Sequence, residues 1–281
     1  MDSQKWALKI REDVDRIYDK IIMLTNNHKN AHKIILLVEG KYDMEFYGKF
    51  VVGSNVLVIY TYGCERMNAL AEILRNEKFE YLAIQDSDFA NLGTPNSGMV
   101  NMFFTDAHDY EMTSISNRAI WGKFDSALEL TTHGISEQDI YDEIETLSFY
   151  RYCSRVNDFF NDFKTVGDRV NYEETLDYQY IHDHIGNSHP RFREVVQGFF
   201  NGFVIANQHV KNAPYDFHNG HDVLNRIVYK INHTDDHPCE GYDEVDLQEI
   251  LVECTTLAEF SNTSLYQDVK EWEKTHAKIF N

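Results

Sequence analysis

An α/β fold, with a parallel sheet in residues 1–120 and a mainly helical region in residues 121–281, is predicted by three observations on this 281-residue chain. Apolar runs recur without polar interruption at "IILLV", "NVLVIY" and "YLAI". A strand with one wet face would alternate apolar and polar residues, so these runs read as strands buried on both faces. Each of the first two is followed by a segment with helical apolar spacing, and strand, helix, strand, helix, strand in succession implies crossover connections and a parallel sheet of the Rossmann type.

Taken in order, "MDSQKWALKIREDVDRIYDKIIMLTNN" reads as an amphipathic helix that ends in the asparagine-rich turn "TNNHKNAHK". The first strand occupies 33–38, and Tyr42, Phe46, Tyr47 and Phe50 then fall at helical spacing, so a helix begins directly after Gly40. "NVLVIYTYG" is the second strand, closed by Gly63. In "CERMNALAEILRNEKF" the residues Met67, Leu70, Ala71 and Leu74 line one helical face. "EYLAIQDSDF" and "VNMFFTDAHDYEM" supply the third and fourth strands, separated by the loop "ANLGTPNSG". Beyond residue 121 helices are predicted in "SEQDIYDEIETLSFYRYCSRVNDFF", with Ser136 as cap, and in "NYEETLDYQYIHDHI", "PRFREVVQGFFNGFVIANQHV", "NGHDVLNRIVYKIN" and "SLYQDVKEWEKTHAKIF".

Composition narrows the function. The apolar share of 43% is ample for a core. The formal charge of −20 makes the chain a poor general binder of nucleic acid, so such a substrate requires a local basic strip, a bound divalent metal or a partner. Cys64, Cys153, Cys239 and Cys254 form no CxxC pair, which with the absence of a signal-peptide pattern and of any membrane-length apolar run predicts a cytoplasmic protein. There is no GxxxxGK[ST] loop and no GxSxG elbow. His233, His237 and Cys239 lack the second ligand pair that a zinc finger requires, and His182 and His184 are two apart on a predicted helix, where they diverge.

Chemistry concentrates where the predicted strands end. Glu39 follows the first, and Asp86 and Asp88 follow the third in "IQDSDF". The carboxyl ends of strands in an open α/β sheet are where ligands bind. At a strand end the aspartate-x-aspartate points both side chains to one side of the backbone, because side-chain direction in a strand repeats every two residues. Close carboxylates repel unless a cation neutralises them, and Mg²⁺ accepts carboxylate oxygens while keeping several waters. If the strands order as in a Rossmann-like sheet, the first and third lie side by side and Glu39 faces Asp86, an arrangement suited to phosphodiester hydrolysis. Each residue also has a structural reading. Glu39 suits the start of the following helix, Asp86 and Asp88 a turn, Asp43 a solvated helix face, Asp109 a helix cap, and His221 with Asp222 a capping arrangement.

"VEGKYDMEFY" followed by "IQDSDF" resembles the TOPRIM fold of topoisomerases, primases and OLD-family nucleases. "FTDAHDYEM" and "HNGHDVLNRI" narrow the likeness to the TOPRIM-related family that includes AriB, the effector of the PARIS anti-phage defence system. The resemblance covers most of the chain, although only the first 115 residues carry sharp motifs. It implies a TOPRIM-like Rossmannoid sheet and a Mg²⁺-dependent nuclease, with Mn²⁺ as a substitute metal. It also implies a toxic effector favouring transfer RNA over DNA and held by an ABC-type ATPase partner. By motif it makes Glu39, Asp86 and Asp88 the catalytic and metal residues, with Asp43, Asp109 and Glu111 as second-site candidates. The helical half then selects the substrate, contacts the partner or forms a homodimer; Arg151, Arg155, Arg191 and Arg193 lie near aromatics there and suit either a single strand or an ordinary solvated surface. The competing expectation is a non-catalytic acidic metal-binding module that regulates the ATPase, since a charge of −20 suits a basic protein surface.

Overall fold

The computed structural model describes residues 3–93, 99–156, 161–162, 186–187, 212–233 and 241–281. The helices expected at 171–185 and 190–210 and most of "HTDDHPCEG" lie outside the described residues. Two compact units emerge. The first comprises Met1–Asp86, Asn96–Asp106 and Thr256–Asn281, and the second Ser87–Pro95 and Ala107–Thr255.

In the first unit, α1 (Ser3–Thr25) precedes β1 (Ile34–Val38), α2 (Lys41–Gly48), β2 (Val56–Tyr60), α3 (Cys64–Asn76), β3 (Tyr81–Gln85) and β4 (Met102–Phe104). The four strands are all parallel, in the order β2-β1-β3-β4. Ile35 pairs with Leu57 on one side and Tyr81 on the other, so β1 is central and every one of its residues is fully buried. This is why its sequence is apolar without alternation. One face of the sheet is covered by Val14, Ile17 and Ile21 of α1 and by Met67, Leu70, Ala71 and Leu74 of α3, packed around Ile35, Leu37, Ile59 and Ala83.

The remaining segment of this unit comes from the far end of the chain. Phe260 stacks on Phe50 at 4.5 Å and meets Phe46 and Phe280 edge-on at 5.9 and 5.0 Å. Val52 N–H donates to the Ile279 carbonyl at 2.7 Å, and Val51 and Phe280 form an antiparallel bridge. The expected helix "SLYQDVKEWEKTHAKIF" stops at Trp272. Glu273 Oε1 then accepts from the N–H groups of Ile279 and Phe280, both at 2.8 Å, and turns the chain back toward α2. The division therefore differs from a boundary at residue 120: aromatic burial against Phe46 and Phe50 recruits residues 256–281 to the sheet unit.

The described second unit is helical: α4 (Tyr110–Ser116), α5 (Arg118–Leu128), α6 (Glu137–Val156), α7 (Pro214–Phe217), α8 (Gly220–Asn232) and α9 (Glu244–Cys254), with a two-residue antiparallel pair at 161–162 and 186–187. Ile120 and Phe124 of α5, Ile140, Ile144 and Leu147 of α6, Leu224, Ile227 and Ile231 of α8, and Leu247 and Leu251 of α9 share one core. Ser136 opens α6 as expected, its Oγ accepting from Asp139 N–H at 3.1 Å. The sequence reading passed over α9, although Asp243 and Asp246 form a reciprocal capping box at its start.

Candidate functional site

In the first unit, Glu39 is the first residue after β1 and Asp86 the first after β3, and those strands are hydrogen-bonded neighbours. Both residues are half-buried. Asp86 N–H donates to Glu39 Oε1 at 3.2 Å, which ties the glutamate side chain to the adjacent strand end. The loop after β2 completes this corner. Thr61 N–H and Oγ1–H both donate to the Val38 carbonyl, at 2.9 and 3.0 Å, and Gly63 N–H donates to the Glu39 carbonyl at 3.1 Å. Gly63 has φ +107, a conformation that disfavours any side chain, so the glycine noticed in the sequence has a backbone reason.

Asp43, at helix position N3, has the role of a cap. Its Oδ2 accepts from Gly40 N–H at 2.8 Å, and the residue is buried rather than on a solvated helix face. The start of α2 is thus fixed directly behind Glu39.

A hard divalent cation is held by one or two carboxylates with several waters. The donor chemistry of Glu39 and Asp86 fits such a water-rich site. Among the described residues no group of three or more His, Cys, Asp or Glu side chains is set to hold a metal, so the fit extends to this carboxylate pair and not to a closed protein cage.

Asp88 belongs to the second unit. The argument that strand periodicity aligns it with Asp86 does not hold, because β3 ends at Gln85 and Asp88 has φ +47. Its N–H donates to the His108 carbonyl at 2.8 Å, and its Oδ2 lies 3.9 Å from an Arg155 nitrogen. Asp88, Phe89, His108, Arg151, Ser154, Arg155 and Asn219 line a cavity of about 210 Å³ in this unit.

Beside that cavity the segments "HDYE" and "NGHD" meet. Asp109 is the N-cap of α4, accepting from Met112 N–H at 2.8 Å and from Gly220 N–H at 2.6 Å, with His108 Nδ1 at 3.1 Å. Burial would raise its pKa, but the hydrogen bond and charge of His108 and the two backbone donors outweigh burial and hold it below the usual carboxylate value. The approach is so close that a Cβ on Gly220 would stand 2.5 Å from Asp109 Oδ1 and 2.5 Å from Glu111 Cβ.

Glu111 is buried, 3.3 Å from Gln248 Nε2 and 3.8 Å from His221 Nε2, while His221 Nδ1 pairs with Glu244. Partial desolvation of the half-exposed His221 opposes its charge, yet Glu111, Glu244 and Asp109 prevail and raise its pKa to about 10. Asp109 and Glu111 therefore serve the cohesion of the second unit. A cap does open α8, but its side chain is that of Asn219 and not of His221 or Asp222, and the Asp222 carboxylate instead makes a two-point ion pair with Arg151 at 2.7 and 2.8 Å. That pair and His108 are what the sequence reading missed. Their one signal was the presence of both motifs, since nothing in either segment states that it packs on the other.

Searches against protein-family models, curated proteins and solved structures find no match for this chain.

Proposed function

We propose that this protein is a Mg²⁺-dependent phosphodiesterase, a TOPRIM-like nuclease whose metal is held by Glu39 and Asp86. The observation that carries the reading is the juxtaposition of these two carboxylates at the ends of adjacent parallel strands, with Asp86 N–H on Glu39 Oε1. When bound, Mg²⁺ supplies charge stabilisation at the phosphate and a more acidic attacking water. Glu39, oriented by the N–H of Asp86 at the end of the neighbouring strand, would hold the metal or accept a proton through its carboxylate. Asp86 contributes the second anionic ligand. Asp88 enters the ligand set by motif alone.

The resemblance to the AriB family extends the proposal to a cytoplasmic anti-phage effector, with transfer RNA favoured over DNA and an ABC-type ATPase as partner. The deciding experiment incubates the purified protein with total transfer RNA, single-stranded DNA and duplex DNA in Mg²⁺, Mn²⁺ or EDTA, beside Glu39→Gln. Cleavage that requires metal and disappears in the variant, with the folded circular-dichroism spectrum retained, is the expected result. Equal cleavage by the variant overturns the assignment.

A second reading is carried by charge. With 46 acidic residues against 26 Lys and Arg, the chain also suits a basic protein surface, as a non-catalytic module that regulates its partner. Failure to cleave any of these substrates in either metal favours that alternative.

A further inference from the structure

We propose that a basic, tyrosine-lined pocket in the first unit binds a stretch of single-stranded nucleic acid through its phosphates and one base. The inference deepens the nuclease reading and rests on it for the identity of the polymer. The pocket lies between α1 and the carboxyl end of β2 and has a volume of about 470 Å³, within the roughly 300–1,000 Å³ of ligand sites.

Its lining is unlike the rest of this chain. Lys9, Arg16, Lys20 and Arg66 stand around a single carboxylate, Asp13, in a protein where acids outnumber bases. Asp13 is occupied by Arg66, whose Nε and Nη2 reach Asp13 Oδ2 at 3.0 and 2.9 Å. Arg66 Nη1 also donates to the Tyr62 carbonyl at 3.0 Å, so this arginine positions the loop. Asp13 Oδ1 also lies 3.8 Å from Arg16 Nη1, so Lys9 and Lys20 remain, with the exposed and more loosely paired Arg16 between them, as the cations along one face of α1. Lys9 and Lys20 are separated by about 16 Å along the helix, against one phosphate per roughly 3.4 Å of axis in a stacked strand. That span fits several phosphates better than one.

Tyr60 and Tyr62 supply the aromatic element. Their rings meet edge-on at 4.7 Å with the hydroxyls 3.0 Å apart, and Tyr62 is 61% exposed. An exposed ring held by a partner, with cations alongside, is the combination on which nucleobases stack without sequence preference. An acidic peptide would use the cations and leave the rings idle. The pocket also shares an edge with the proposed catalytic pair, because β2 is the neighbour of β1 and Gly63 N–H holds the Glu39 carbonyl.

The test measures binding of a labelled single-stranded RNA of about 12 nucleotides in EDTA, where cleavage is suspended, by fluorescence anisotropy. Tyr62→Ala is expected to weaken binding about tenfold, and Tyr62→Phe, which keeps the ring, to stay near wild type. The double variant Lys9→Ala/Lys20→Ala is expected to flatten the salt dependence by about 0.7 in log–log slope for each phosphate contact removed.

Wild-type affinity in all variants, equally tight binding of a mononucleotide, or equal competition by a polyglutamate peptide overturns the proposal. Binding that follows these expectations in a protein that never cleaves overturns the nuclease reading alone. Cleavage that depends on Glu39 but is indifferent to Tyr62, Lys9 and Lys20 in both rate and RNA affinity overturns the pocket alone.

Discussion

Asp109 and His221 show how a residue's neighbours decide its task. Both occur in segments that the sequence singles out as candidate site motifs, yet the carboxylate of the first accepts from two backbone N–H groups and the second lies among carboxylates. The raised pKa of His221 has a signed consequence. A group whose folded pKa exceeds its unfolded value contributes stability that is complete below the unfolded value and lost as pH rises through the folded one. His221 should therefore stabilise the second unit fully below pH 6.5 and progressively less up to about pH 10. Urea midpoints measured across that range are expected to decline in the wild type and to decline less in His221→Gln. Solvent exposure of the side chain keeps the effect modest.

At the scale of elements, the start of α2 matters most because it follows Glu39 directly. Asp43→Ala removes the acceptor for Gly40 N–H and should lower stability by about 0.5–1.5 kcal/mol, the net worth of one hydrogen bond, read as a shift in the urea midpoint. Asp43→Asn keeps an acceptor oxygen and should retain both most of that stability and metal-dependent cleavage. Loss of cleavage in the asparagine variant would return Asp43 to the metal ligands. The central strand was legible because burial on two faces leaves an unbroken apolar run, and Ile34–Val38 is such a run. Its neighbour β3 was legible on the same ground, and so was the proximity of Glu39 to Asp86. The break after Gln85 was legible only as the turn that Asp and Ser favour, and the left-handed backbone of Asp88 bears that reading out over the strand-periodic one. The turn at Glu273 was not legible, since it depends on a side chain capturing backbone groups six and seven residues on.

The molecule as a whole interleaves its two units along the chain, a non-local property that local periodicity cannot report. Residues 256–281 complete the first unit through Phe260, so Phe260→Ala is expected to lower that unit's stability by about 3–5 kcal/mol, measured by urea denaturation. Among the described residues no helix is long and apolar enough to cross a membrane. The return of Thr256–Asn281 to the sheet also sets a timetable for synthesis. At about 5–20 residues per second, translating the second unit occupies on the order of ten seconds. By the end of that interval the strands that lead into Glu39 and Asp86 have been made well before residues 256–281, and Phe46 and Phe50 lack their cover until then. A nascent chain thus carries the Glu39 and Asp86 strand ends while the aromatic face of α2 is still bare, and that face is covered only when residues 256–281 emerge.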